Sequence, residues 1–190
     1  MNEAVGRILP ASLHQGIADL LPSRLDFYEE WLNPKAMRDG RIGLAPLAAV
    51  LSFLRRDGDA YAFVTARAGE YAAEWTFAEL SSLRRACIRA APVWLRVRLV
   101  SQLVRRMALR SYGDCRATVR WKKQTGTLGL SGSLFCVVRE RSEQPLCEFY
   151  SSAVRRLIRL SGLEVDIVTD VCRATTGAER CGMTLTVREK

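Results

Sequence analysis

The sequence predicts an α+β fold, in which an N-terminal helical bundle packs on an antiparallel sheet of about four strands. Apolar residues recur at helical spacing up to about residue 112, and after Gly113 apolar and polar residues alternate. The predicted order is helices, two strands, one helix and two strands. The 190 residues suit a single domain, with the helical part at about 1–112 and the sheet with its closing helix at about 113–190.

Helical spacing accounts for the first half of the chain. It predicts helices at 10–33 (two short ones), 42–54, 60–80, 81–91 and 92–112. Pro34 and Gly40 mark the exit from the second short helix. The segment 60–80 is rich in alanine and aromatic residues, among them Tyr61, Tyr71 and Trp75. Such a helix forms either ordinary core or one wall of a pocket for a flat apolar ligand.

The helix predicted at 92–112 is both apolar and basic. Leu95, Leu99, Leu103 and Met107 form one stripe, and arginines occupy the other faces. These charges exclude an ordinary membrane span. The pattern favours packing with solvated guanidinium groups, and it leaves open a membrane-surface role for the basic helix 94–110. The net charge of +9 also permits an anionic partner, but no nucleic-acid-binding signature accompanies it, which disfavours nucleic acid.

Alternation accounts for the second half. Two strands are predicted at 115–122 and 127–138, joined by a turn. A helix then runs from Cys147 to Leu160 and stops at Gly162. A third strand is predicted at 165–170, and Met183, Leu185 and Val187 alternate in the fourth.

Three cysteines lie at the ends of these C-terminal elements. Cys172 and Cys181 flank a turn region, and Cys147 begins the preceding helix, so the three thiols can meet. Three thiolates with one oxygen ligand satisfy tetrahedral zinc. The spacing is not that of a zinc finger, and the sole histidine, His14, is distant. Buried free cysteines are the alternative, and disulfides are disfavoured in the cytoplasm.

The same residues resemble the 4-vinyl-reductase-type small-molecule (hydrocarbon) binding domain, which is named after a bacteriochlorophyll biosynthesis protein and occurs in phenol-responsive regulators. More distantly, the chain is like the vesicle-tethering TRAPP subunits. The resemblance covers about the last 75 residues. It rests on the segments 133–136, 145–150, 165–168 and 172–181.

The resemblance implies a structural zinc ion. In the phenol sensors three cysteines and a glutamate hold it, and the corresponding cysteines are Cys147, Cys172 and Cys181. This chain has Thr169 in place of the glutamate, with Asp170 beside it. Asp170 is therefore the expected fourth ligand, and Cys136 is its alternative.

The resemblance also implies a binding module for a hydrophobic or aromatic small molecule, such as a tetrapyrrole or its precursor, which acts as a sensor, carrier or assembly factor and forms a homodimer. The expected cavity lies between helices and sheet. Its candidate residues are Tyr61, Tyr71, Trp75, Trp94, Trp121, Phe135 and Phe149. The alternatives are a reductase of a tetrapyrrole vinyl group and a dimeric scaffold without ligand.

The sequence favours binding over catalysis. It contains no G-x-G-x-x-G fingerprint, and no nucleophile motif surrounds His14, the only histidine available as a base. The first 21 residues contain charges and Pro10 where a secretory leader has an apolar core, so a cytoplasmic location is expected.

Overall fold

A computed structural model describes residues 5–138 and 141–189. Within these residues the chain forms seven helices, two strands, a helix, a strand, a short helix and a last strand. The helices are α1 (Ile8–Leu20), α2 (Leu25–Glu29), α3 (Pro34–Arg38), α4 (Leu44–Arg56), α5 (Asp59–Ala78), α6 (Ser82–Ala90), α7 (Val93–Ser111), α8 (Glu148–Leu160) and α9 (Arg173–Thr176). Two 3₁₀ turns cover Pro22–Arg24 and Leu134–Cys136.

The sheet has four antiparallel strands. They are β1 (Arg116–Lys122), β2 (Thr125–Ser131), β3 (Leu163–Val171) and β4 (Cys181–Glu189), in the spatial order β1-β2-β4-β3. Met183, Leu185 and Val187 are buried on one face of β4, as their alternation predicts. Helix α7 packs on β1 and α8 packs on β3, so the helices cover this face. The predicted fold class and order of elements are confirmed.

Helix α5 lies between α1 and α8, and small residues allow the close approach. Gly16 of α1 faces α5, where an added Cβ would lie 2.8 Å from the carbonyl oxygen of Val64. Gly69 of α5 faces α8 even more closely, because its Cβ would lie 2.1 Å from the carbonyl oxygen of Phe149. At these two glycines the helices therefore approach to backbone contact.

The strand predicted at 127–138 was too long. It ends at Ser131, because Gly132 adopts a left-handed conformation (φ +68°) close to the backbone of Asp114. After this turn the chain forms the 3₁₀ turn Leu134–Cys136, whose three side chains are buried. The correction matters because it carries Cys136 out of the sheet and into the interior.

The segment after Asn33 also differs from the expected exit loop, since it forms α3. Pro34 occupies the first turn, where its missing N–H costs nothing, and the Asn33 side chain accepts hydrogen bonds from Lys35 N and Ala36 N. This short helix lies outside the core, because none of its residues is fully buried.

Helix α7 packs by a broader face than the predicted stripe. Leu103 and Met107 are buried and Leu99 is half-buried, and Val100 and Val104 widen the buried surface. Among the described residues, no helix combines the length and apolar composition needed to cross a membrane.

Candidate metal centre

Four cysteines converge where the helical part meets the ends of the sheet. Cys136 closes the 3₁₀ turn, and Cys147 precedes the first residue of α8. Cys172 follows β3, and Cys181 begins β4. The side chains come from segments up to 45 residues apart in sequence, and folding brings them together. We call these four residues the sulfur cluster.

The spacing of the sulfur atoms fits one tetrahedral metal ion. Cys136 Sγ lies 3.4 Å from Cys147 Sγ, 3.8 Å from Cys172 Sγ and 3.5 Å from Cys181 Sγ. Cys147 Sγ and Cys172 Sγ are 3.3 Å apart, and all four atoms lie within 4.8 Å of one another. A zinc–sulfur distance of about 2.3 Å places tetrahedral ligands about 3.8 Å apart. A multi-iron cluster needs wider spacing, since iron and sulfide atoms lie between its cysteines.

The sulfur cluster is enclosed and supported by backbone donors. Each of the four residues is at most 2% exposed. Leu146 N donates to Cys172 Sγ at 3.4 Å, and Arg173 N donates to Cys181 Sγ at 3.3 Å. Such donors orient the ligands of a metal and stabilise negative charge on sulfur. Four enclosed sulfur ligands leave no open coordination position, which is the arrangement of a structural site.

The four thiols alter one another's ionisation. Hydrogen bonds from Cys136 and Cys147 lower the pKa of the Cys172 thiol, and the same two neighbours lower that of Cys181. The pKa of the Cys147 thiol is raised, because its hydrogen bonds to Cys136 and Cys172 favour the protonated form. A bound cation would hold all four sulfurs as thiolates.

The structure brings together the three cysteines expected as ligands, and it places Asp170 elsewhere. Residue 170 falls at an irregularity in the pairing of β3 with β4, between Thr169 and Val171. Its exposed carboxylate accepts a hydrogen bond from Thr184 Oγ1 at 2.8 Å. The fourth member of the cluster is Cys136, the alternative that the sequence left open.

The seven aromatic residues expected to line one cavity lie in separate places. Phe135 stacks on Phe149 with ring centroids 4.6 Å apart, and both are completely buried near the sulfur cluster. Tyr71 and Trp75 form a ring pair on the half-buried side of α5. Trp94 is 59% exposed. Tyr61 and Trp121 line two different cavities.

Two contacts that the sequence did not predict connect the helical part to the sulfur cluster. Arg55 Nη2 donates to the carbonyl oxygen of Phe135 at 2.9 Å, directly before Cys136. Tyr61 Oη donates to the carbonyl oxygen of Leu146 at 3.3 Å, directly before Cys147. These pairs are 80 and 85 residues apart in the chain, and no sequence motif marks such a contact.

Comparison with known proteins identifies the fold. No protein-family model and no curated protein matches the chain. An H-NOX protein from S. oneidensis in the Fe(II)NO ligation state aligns over 97% of this chain and 100% of that one, with 12% identity and a TM-score of 0.60. An unliganded Fe(II) H-NOX mutant from K. algicida aligns over 98% of both chains, with 11% identity and a TM-score of 0.58.

A third solved structure with this fold is subunit 3 of a trafficking protein particle complex from Naegleria fowleri, covalently bound to palmitic acid. It aligns over 94% of this chain and 96% of that one, with 12% identity and a TM-score of 0.52. At such low identities the likeness shows a shared α+β fold, in which helices pack against an antiparallel sheet.

Proposed function

We propose that this protein is a binding domain for a hydrophobic small molecule, and that a structural zinc ion stabilises it. The observation that carries the zinc part of the proposal is the sulfur cluster, with separations of 3.3–3.8 Å between the hydrogen-bonded sulfur pairs and at most 2% exposure of each residue. Cys136, Cys147, Cys172 and Cys181 would hold the ion. Zinc would supply no chemistry to a substrate there, because the site has no open position.

The metal would stabilise the fold by linking the four segments that carry the clustered cysteines. It would join the 3₁₀ turn, the start of α8 and the facing ends of β3 and β4. Structural zinc contributes directly to folding free energy, because the assembled site does not exist in the unfolded chain. The resemblance to 4-vinyl-reductase-type domains supports the same role, with a cysteine in place of the carboxylate ligand.

The fold supports the ligand-binding part of the proposal. One protein with this fold is bound covalently to palmitic acid, and two others contain Fe(II). The structure with palmitic acid is a precedent for an apolar ligand. Burial of the ligand's apolar surface would contribute roughly 25 cal/mol per Å² to binding.

A histidine-ligated iron tetrapyrrole does not fit the described residues. The sole histidine, His14, binds the carboxylate of Glu29 at 2.7 Å and is not free to serve as an axial ligand. The planar group also needs space between helices, whereas α5 touches α1 at Gly16 and α8 at Gly69. We therefore propose a smaller or more flexible ligand and no iron-based step.

Native mass spectrometry of the protein purified from its own host tests the proposal, with a denatured control and metal analysis of the same sample. We expect one zinc per chain and a copurified apolar molecule that denaturation releases. The spectra also test the homodimer that the resemblance implies. A protein that carries well under one zinc per chain, even when zinc is supplied during expression, would end the metal part of the proposal.

A second role, contact with an anionic membrane surface, is favoured by the charge of α6 and α7. Between Glu79 and Asp114 the chain has eight arginines and no carboxylate. One exposed stripe of α7 carries Trp94, Arg98, Gln102, Arg106 and Leu109. The Arg98 guanidinium lies 5.4 Å from the centre of the Trp94 ring. Exposed tryptophan beside arginines suits the interface of an anionic bilayer.

Vesicle cosedimentation tests this role. The protein is expected to bind vesicles that contain phosphatidylglycerol and to leave neutral phosphatidylcholine vesicles in solution. Arg98→Glu should weaken binding at least about fivefold, because each basic residue near the surface contributes about 1 kcal/mol. The matched control is Arg120→Glu on the exposed face of the sheet, with the same change in net charge. Equal effects of the two variants, or tighter binding to a DNA duplex, would contradict a membrane-specific surface.

A further inference from the structure

A cavity of about 490 Å³ lies between the α4–α5 junction and the loop that leads to α8. We call it the Arg55 cavity. Its lining includes Arg55, Tyr61, Val138, Arg141, Pro145 and Leu146. The volume lies within the range of small-molecule pockets. This cavity lies outside the α1–α5–α8 contact, and it is the place where Tyr61, one of the expected ligand-binding residues, reaches accessible space.

The inner and outer parts of the cavity differ in chemistry. The outer rim carries the exposed residues Asp59, Arg141 and Glu143, whose charges partly balance. The inner part has the buried side chain of Tyr61 and the half-buried Arg55. Pro145 adds exposed apolar surface at the rim, and the buried Leu146 adds apolar surface farther in. A ligand that fits this arrangement has an apolar body and one group that suits Arg55.

Arg55 supplies a positive charge to the inner part of the cavity. Its Nη2 donates to the carbonyl oxygen of Phe135, and its guanidinium carbon lies 5.8 Å from the centre of the Tyr61 ring. These contacts fix the orientation of the group. Arg55 is half-buried and lines the cavity, and no described carboxylate forms an ion pair with it. An anionic group in the cavity would therefore bind favourably to this guanidinium.

We infer that the Arg55 cavity binds a small monocarboxylate with an apolar body, whose carboxylate pairs with the Arg55 guanidinium. This inference rests on the proposed ligand-binding function and names the ligand's chemical class. Arg55 distinguishes a carboxylate from its neutral amide, because an ion pair with the guanidinium is stronger than a hydrogen bond from it to a neutral carbonyl.

The cavity is also connected to the sulfur cluster. Arg55 holds the peptide carbonyl that precedes Cys136, and Tyr61 holds the one that precedes Cys147. Leu146, which lines the cavity, also donates its N–H to Cys172 Sγ. A ligand that restrains Arg55 and Tyr61 therefore restrains two peptide groups bonded to cluster cysteines. Bound carboxylate should slow the release of the metal to a chelator.

Calorimetry with benzoate and 3-phenylpropionate, each compared with its neutral amide, tests the inference on the protein as purified. We expect the acids to bind at least about tenfold more tightly than the amides, and Arg55→Met to remove this difference. Arg56→Met is the matched control, because Arg56 is the next residue of α4 and its guanidinium lies over Phe53, 5.9 Å from the ring centre. It should leave binding unchanged.

A second variant keeps the test decisive if Arg55→Met does not fold. Ala62 lines the cavity, so Ala62→Trp would fill it with Arg55 intact, and binding of the acids should be lost. Equal binding of acids and amides, or equal weakening by Arg55→Met and Arg56→Met, would overturn the inference. If a copurified ligand survives Ala62→Trp, ligand binding stands and only this location is wrong. If no apolar ligand copurifies and none of the four probes binds, the proposed ligand-binding function fails as well.

Discussion

Cys147→Ser is expected to remove the metal ion and to lower the free energy of unfolding by about 5 kcal/mol or more. The serine hydroxyl is a poor zinc ligand, and structural zinc contributes an apparent binding free energy of about 10–16 kcal/mol in small zinc domains. Cys147 Sγ lies within 3.4 Å of two other cluster sulfurs, so the variant also leaves buried thiolates without their counter-charge. Metal analysis and urea denaturation measure the two effects.

Cys115→Ser is the matched control for this substitution. Cys115 is also completely buried, and burial raises the pKa of its thiol to about 11, but it lies outside the sulfur cluster. It should keep one zinc per chain and lose only about 1–3 kcal/mol, which is the cost of placing a hydroxyl in an apolar site. Equal losses of zinc in the two variants would show that the cluster does not bind the ion.

Gly69→Ala is expected to destabilise the fold by about 3 kcal/mol. Alanine favours a helix over glycine by about 1 kcal/mol, so an exposed helix would gain stability from this change. At residue 69 the new Cβ would lie 2.1 Å from the carbonyl oxygen of Phe149, and backbone cannot move as a side chain does. Helices α5 and α8 would have to separate, and separation opens space in the core. Urea denaturation measures the change in the free energy of unfolding.

A control for Gly69 comes from Gly43, which precedes α4. There the nearest atom to an added Cβ is 3.9 Å away, and φ is −85°, so alanine fits without strain. Gly43→Ala should change the free energy of unfolding by less than about 1 kcal/mol. If Gly69→Ala is as stable as the parent protein, the direct backbone contact between α5 and α8 is wrong.

Local patterns in the sequence predicted most elements of the fold. The alternation of Met183, Leu185 and Val187 predicted a strand with one buried face, and the structure confirms it. The 3.6-residue period predicted α7 and α8 to within one residue at each end. Both patterns arise from side-chain directions set within a single element, so they do not depend on the rest of the molecule.

Part of the candidate metal centre could also be predicted from the sequence. Cys147, Cys172 and Cys181 stand at the ends of predicted elements, and their convergence followed from hairpin geometry and from the resemblance. The fourth member was not decided. The alternating pattern predicted that Cys136 belongs to a strand. The strand ends earlier because of the left-handed turn at Gly132, which lies close to the backbone of Asp114.

The sequence by itself determined the fold class and the order of the elements, because short-range periodicity carries that information, and its resemblance to a known family together with hairpin geometry indicated three of the four clustered cysteines. Only the tertiary structure decided that Cys136 replaces Asp170, that the expected aromatic residues do not share a cavity, and that Arg55 contacts the peptide before Cys136. These outcomes depend on contacts between segments as far as 80 residues apart. Such contacts are set by how closely whole helices and strands pack, which no local pattern encodes.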